Sequence, residues 1–188
     1  MIETFMIVLS VLLALFINEW KSNKNELRNT NVMMTNISGE IKSNQSLLED
    51  LIPYHKSVLE NIQLAALKDS LSTTFLKKGY FELNLIAPRG VKQGDFQNIA
   101  WLIAKEERIS NRISFEESQQ LFSVYEQQSR VLKTIDRIID FLSSREIHRE
   151  ELVEESVIVL ALEWNEMIAQ EKELLYRYSE ASKKLKSR

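Results

Sequence analysis

The chain has no cysteine, two prolines, four glycines and two histidines among its 188 residues. The first absence rules out disulfides, thiolate metal sites and a cysteine nucleophile. So few glycines and prolines leave long stretches without a breaker, and helices can be correspondingly long. The histidines, His55 and His148, stand in no H-E-x-x-H or E-x-x-H pattern, so no metal-ligand spacing is present. A dominant charge is missing too. The 24 basic and 27 acidic side chains give a net −3, too close to neutral to suggest a nucleic-acid surface. Long apolar runs are absent from all but one place.

That place is Phe5 to Ile17, thirteen residues with a single Ser and no charge, followed at once by Asn18-Glu-Trp-Lys21. As a helix, Ile2 to Trp20 would extend roughly 28 Å at 1.5 Å per residue. A bilayer core is about 30 Å thick, so the segment is a short but adequate span. Trp20 falls where an indole prefers to lie, between hydrocarbon and water, and Lys21 and Lys24 follow on the polar side. A cleavable signal peptide would want a basic leader and a small-residue cleavage site, and neither pattern is present. A buried helix of a soluble core is the other rival. The anchor reading is preferred to both, with the lipid bilayer as the first partner. Lys21, Lys24 and Arg28 lie just beyond the span, and no Lys or Arg precedes it. The positive-inside bias therefore predicts an inner-membrane, single-pass protein with its body in the cytoplasm.

The rest reads as mainly all-α, an N-terminal transmembrane helix continuing into an elongated bundle or antiparallel hairpin with one short extended segment. Four regions are expected: an anchor over 1–20, juxtamembrane amphipathic helices over 21–68, an irregular or extended segment over 69–94, and a helical hairpin over 95–188. In the second region Val32, Met33, Ile37, Ile41, Leu48, Leu51 and Ile52 recur largely at steps of three and four, interrupted by Asn44 and Gln45. Gly39 softens this helix, and Pro53 is expected to open the next one from its first turn. Val58, Leu59, Ile62, Ala65 and Ala66 continue an apolar face. In the third region Ser70, Ser72, Thr73 and Thr74 break the periodicity. Tyr80 to Ile86 then alternates, predicting a strand with Phe81, Leu83 and Leu85 on one side. Ala87-Pro-Arg-Gly90 closes it as a turn.

Asp95 is the expected N-cap of a helix to about Glu107, with Phe96, Ile99, Ala100 and Ile103 inward. Ser114-Phe-Glu-Glu117 has the capping-box form. The helix it opens places Phe115, Ser118, Phe122, Tyr125, Ser129, Leu132, Ile135, Ile139 and Leu142 in near coiled-coil alternation. The last helix is expected to start after Ser144. Its seam is Val153, Val157, Leu160, Trp164, Met167, Glu171, Leu174 and Tyr178. The two should pair as an antiparallel hairpin. Phe122, Tyr125, Leu132, Ile139, Leu160 and Trp164 are the candidate interaction seam. The helix from Val32 to Ile52 also needs a cover, either by folding back on the hairpin or by pairing between chains.

Catalytic chemistry finds no foothold. There is no phosphate-binding Gly-rich loop, nucleophile elbow or Ser/His/Asp arrangement. His148 stands near Glu150, Glu151, Glu154 and Glu155, a group better read as an acidic first turn than as a cation site. Carboxylate pairs such as Glu106-Glu107 need no explanation beyond a solvated face. Trp101 and Trp164 lie on apolar helix faces as core residues. The tail Lys183 to Arg188 carries four basic residues in six, favourable at a helix C-terminus and able to meet anionic lipid or a partner. The expectation is a non-enzyme with no catalytic residue, metal or cofactor.

Two stretches carry a resemblance. Ala14-Leu-Phe-Ile-Asn-Glu-Trp20 resembles the exit of the membrane helix in an uncharacterised bacterial family of single-span proteins, where this segment reads near I-A-L-x-I-N-x-W-N-E. Ala100-Trp-Leu-Ile-Ala-Lys105 and Leu121-Phe-Ser-Val-Tyr-Glu-Gln-Gln128 are similar to that family's second segment. The matches cover about a quarter of the chain. This sequence lacks the family's basic leader and has Glu106-Glu107 where a Gly is common. The resemblance implies an anchored helical protein and brings no activity with it. Together these readings predict a membrane-anchored helical interaction or scaffold protein that associates with itself or with a membrane protein. The alternative is an accessory single-span subunit of a larger transport or defence complex.

Overall fold

A computed structural model describes residues 2–67, 75–77, 80–91 and 94–186. The fold is all-α: a three-helix bundle built on one very long helix. Helix α1 runs unbroken from Ile2 to Ala66. From Ile2 to Asn29 every described side chain is exposed, and the first buried one is Thr30. Beyond that point Met34, Ile37, Ile41, Leu48, Leu51, Ile52, Val58, Ile62 and Ala65 are buried. Each aliphatic side chain fully removed from water contributes about 1.5–3 kcal/mol. Packing of this stripe, more than intrinsic propensity, therefore holds the upper part of α1. Pro53 lies inside α1 and opens no new helix, contrary to the expected break. Tyr54, His55 and Val58, buried immediately after it, keep the helix docked through the proline.

Beyond α1, Leu76–Lys77 (β1) pairs antiparallel with Tyr80–Phe81 (β2). The expected strand to Ile86 is therefore cut short. Leu83–Leu85 is a 3-10 turn, and Leu85 is exposed. Phe75 is buried and stacks on Phe81 at 5.4 Å, which seats this hairpin on the bundle. The serine- and threonine-rich stretch from 70 to 74 falls outside the described residues.

Helix α2 is Ile99–Glu106, shorter and later than expected. Its N-cap is Asn98, not Asp95, and its buried residues are Trp101 and Ala104. Ile99 and Ile103, expected inward, are exposed, and Phe96 and Ala100 are half-buried. Helix α3 is Phe115–Ser143, and the Ser114/Glu117 capping box is formed as the sequence suggests. Helix α4 is Val153–Lys186, reached from α3 through two 3-10 turns at Glu146–His148 and Glu150–Leu152. It begins later than expected because those turns take up the connection.

Side-chain pairs give the directions. Glu40 meets Tyr125 and Asn44 meets Gln128, so α1 and α3 run parallel. Gln128 meets Tyr178 while His55 meets Glu171, so α4 runs against both. The stripe on α1 is thus covered by the chain's own hairpin, chiefly by α4. The connection after α1 returns alongside it. Asn61 donates to Ile86 O, Tyr54 donates to Gly90 O, and Asn44 donates to Gln97 O.

Candidate functional site

The lower part of α1 is the most exposed apolar surface. Phe5, Leu9, Leu12, Leu13, Phe16 and Ile17 are each at least half exposed. The helix contains a window long and apolar enough to cross a membrane, none of it buried against the rest of the chain. Trp20, Lys21 and Lys24 lie at its upper limit, and Lys24 Nζ sits 5.4 Å from the Trp20 ring centroid. Residues 21–29 are all exposed, a bare stalk of about 13 Å before the bundle begins. Arg112 Nε meets Glu26 Oε1 at 3.0 Å, bracing the base of the bundle on the stalk.

The candidate interaction seam is divided between interior and surface. Tyr125, Leu160 and Trp164 are buried inside the chain's own core. Leu132 and Ile139 are half-buried, and Phe122 is exposed. On α4 every seam residue from Val153 to Tyr178 is buried. On α3 the buried face is rotated by about one residue from the expected one. Leu121, Val124, Gln128, Val131, Ile135 and Ile138 face inward, while Phe115 and Ser129 are exposed. The seam residues buried in this way serve cohesion and offer no contact to a partner.

A buried polar network that the apolar pattern passed over ties the helices together. Glu40 accepts a hydrogen bond from Tyr125 Oη at 2.5 Å and another from the Ala100 amide at 2.8 Å. The second bond caps α2 from outside: Asn98 makes no side-chain cap, and a carboxylate near helical N–H groups is favoured by the dipole. Asn44 donates to Gln97 O at 2.8 Å and accepts from Gln97 N at 2.8 Å. Tyr178 donates to Gln128 Oε1 at 2.6 Å. Burial, then the hydrogen bond to Glu40, pushes the Tyr125 phenol far above its usual range. Burial likewise raises that of Tyr178. A legible signal existed: Asn44 and Gln128 occupy core positions of their helices, between Ile41 and Leu48 and between Val124 and Val131.

Higher in the bundle, His55 Nδ1 lies 2.8 and 3.0 Å from the two carboxylate oxygens of Glu171, with both side chains fully buried. The Trp164 ring stands edge-on to His55 at 6.0 Å. The Trp164 indole N–H has no protein acceptor, and nothing in the structure explains it. His148 serves the fold as well, its Nδ1 accepting from the Phe81 amide at 3.1 Å. Among the described residues no group of three or more His, Asp or Glu side chains is placed to hold a metal ion.

One concavity lies on the flank, between α2 and α3. It encloses about 360 Å³ and is lined by Trp101, Leu102, Lys105, Phe122, Tyr125 and Glu126, among others. Trp101 and Tyr125 stack at 5.0 Å to form its floor, and Phe122 stands edge-on to Trp101 at 4.8 Å. The two stretches of the second resembling segment therefore meet each other here. No protein-family profile, curated protein or solved structure matches the chain. The resemblance rests on its own residues.

Proposed function

We propose that this chain is a membrane-anchored helical interaction protein, held in the bilayer by α1 up to Trp20 and acting through the body that the same helix supports. One observation carries the reading. A single helix supplies both an unburied apolar segment of membrane-spanning length and a third of a well-packed bundle. An isolated apolar face of that size is unfavourable in water and favourable in lipid. Because no loop separates the two parts, span and body behave as one rod, and the body is held at a fixed height and rotation. Such a geometry suits display of a surface to something at the membrane.

The basic residues after Trp20 support a cytoplasmic body. A reporter active only outside the cytoplasm, fused after Arg188, is then expected to stay silent, and strong reporter activity would reverse the orientation. The anchor is tested by alkaline carbonate: the full chain should stay with the membrane pellet, and release into the wash would refute it. The alternative is an accessory subunit whose span is itself the binding surface. Replacing residues 2–20 with an unrelated span of equal length distinguishes the two. Retained association with partners supports display by the body, and loss with normal insertion supports the subunit.

A further inference from the structure

One end of the bundle is turned toward the proposed span. Helices α1 and α3 run parallel and α4 runs against them, so the start of α3 and the end of α4 both lie at that end. Two contacts fix its level. Arg112 meets Glu26, so the loop between α2 and α3 descends below Thr30, the first buried side chain of α1. Leu185 shares a hollow with Asn31, Met34 and Thr35, which places the end of α4 just above. Glu26 lies six residues beyond Trp20 on a continuous helix, or about 9 Å. Headgroups extend about 5–8 Å past the hydrocarbon. The lateral faces stand further off: the start of α2, gripped by Glu40, is already about 30 Å above Trp20.

The charges at this end say what it meets. Its acids are largely taken up within the chain: Glu26 and Glu107 face Arg112, Glu116 holds Lys184 at 2.7 Å, and Glu180 holds Lys183 at 2.7 Å. Four cations are not. Among the described residues, Lys21, Lys24, Arg28 and Arg108 have no carboxylate within ion-pair distance. Lys186 and Arg188 follow the end of α4 in the sequence. The surplus is positive and suits an anionic partner.

Arg108 is also the one described non-glycine residue at positive φ, 52°, a conformation that ordinarily selects Gly or Asn. Its side chain is exposed. Phe115, 82 % exposed, opens α3 from the same loop. An apolar side chain set among cations is the composition of surfaces that lie at the headgroup boundary. A membrane helix tilts by about 20° on average, which lowers a base offset by one helix diameter by about 3–4 Å. That closes the remaining gap.

We propose that the base of the body, centred on Arg108 and Phe115, docks on anionic lipid headgroups of the bilayer that holds α1, tilting the rod toward its α3 side. The proposal rests on the anchored reading above.

The chain has no cysteine, so a single introduced one reports without background. The full chain is reconstituted in phosphatidylcholine vesicles with or without phosphatidylglycerol, and outward-facing bodies are labelled with an impermeant maleimide fluorophore. The label sits at Ser110→Cys in the basal loop, or at Ile158→Cys, exposed near the far end of α4. Headgroup-nitroxide lipid should quench the label at 110 strongly with phosphatidylglycerol and weakly without it, and the label at 158 in neither. In about 1 M salt, where screening shortens to about 3 Å, the difference should vanish while the chain stays in the vesicles. R108Q should lower the docked-to-free ratio about fivefold, as loss of one basic contact at an anionic surface implies. R108K should retain docking. R108G relieves the positive φ and should match R108Q, which separates lost charge from a disturbed loop. Quenching at 110 that is equal with and without phosphatidylglycerol, or no greater than at 158, overturns the docking and leaves the anchor standing. An R108G chain that docks as well as the parent overturns the role given to Arg108. A chain that floats with vesicles of neither composition overturns the anchor and, with it, this docking.

Discussion

Glu40, Tyr125, Asn44, Gln128 and Tyr178 form a polar layer across the bundle where an apolar one would pack as easily. Such a layer fixes register, because sliding a helix by one turn would strand several buried groups, each at about 1–3 kcal/mol. Both phenols titrate above their usual range, and this has a consequence with a definite sign. A raised tyrosine value means the folded state favours the neutral phenol. The stabilisation is fully present below the ordinary value of about 10 and is lost as pH rises beyond it. Denaturant midpoints should thus be level up to about pH 10 and fall above it, and Tyr125→Phe should flatten that fall. An unchanged alkaline limb in Tyr125→Phe would contradict the assignment. The His55–Glu171 pair predicts a different pattern. Replacing either partner alone with Leu should cost about 3–5 kcal/mol, and replacing both should recover much of that loss. A double-mutant cycle on unfolding free energies measures the coupling, and strict additivity would show that the pair contributes no mutual stabilisation.

At the scale of elements, two glycines separate what a helix tolerates from what the returning segment demands. A Cβ on Gly39 would meet nothing within 4 Å, so Gly39→Ala should stabilise α1 by about 0.5–1 kcal/mol. A Cβ on Gly94 would come within 2.3 Å of Leu47 Cδ2 and 2.8 Å of its Cγ. Gly94→Ala should therefore lower stability by about 1–3 kcal/mol, through overpacking against α1. Thermal unfolding of both variants checks the contrast, and an equal response would mean that the segment does not lie where it is placed. Helix α4 was legible from its pattern because all of its core positions but Ser156 and Glu171 carry apolar or aromatic side chains. Helix α3 was legible only as a helix. Its exposed Phe115 and Phe122 mimic a seam, while Gln127 and Thr134 are buried and read as surface. The returning segment was illegible, since amide and hydroxyl groups pair it with α1 and leave no periodic trace. The groove on the flank was missed for a related reason: Ile99 and Ile103 satisfy the rule for inward residues, yet Glu40 grips the Ala100 amide and Trp101 takes the inward place.

The molecule as a whole is a rod with a body at one end. Its proposed span was legible from composition alone, because thirteen consecutive residues carry no charge. The covering of α1 by its own hairpin was not, because a stripe at helical spacing is equally suited to another chain. The central claim is that α1 passes through lipid and continues as one helix into the bundle. Spin labels placed singly at residues 6 to 34 of the full chain in bilayers test it, read by accessibility to oxygen and to a water-soluble relaxation agent. Oxygen should dominate up to Ile17, the water-soluble agent should dominate from Lys21 to Asn29, and a 3.6-residue period should emerge from Thr30 onward. Uniform access of the water-soluble agent to residues 6–17 would contradict the account.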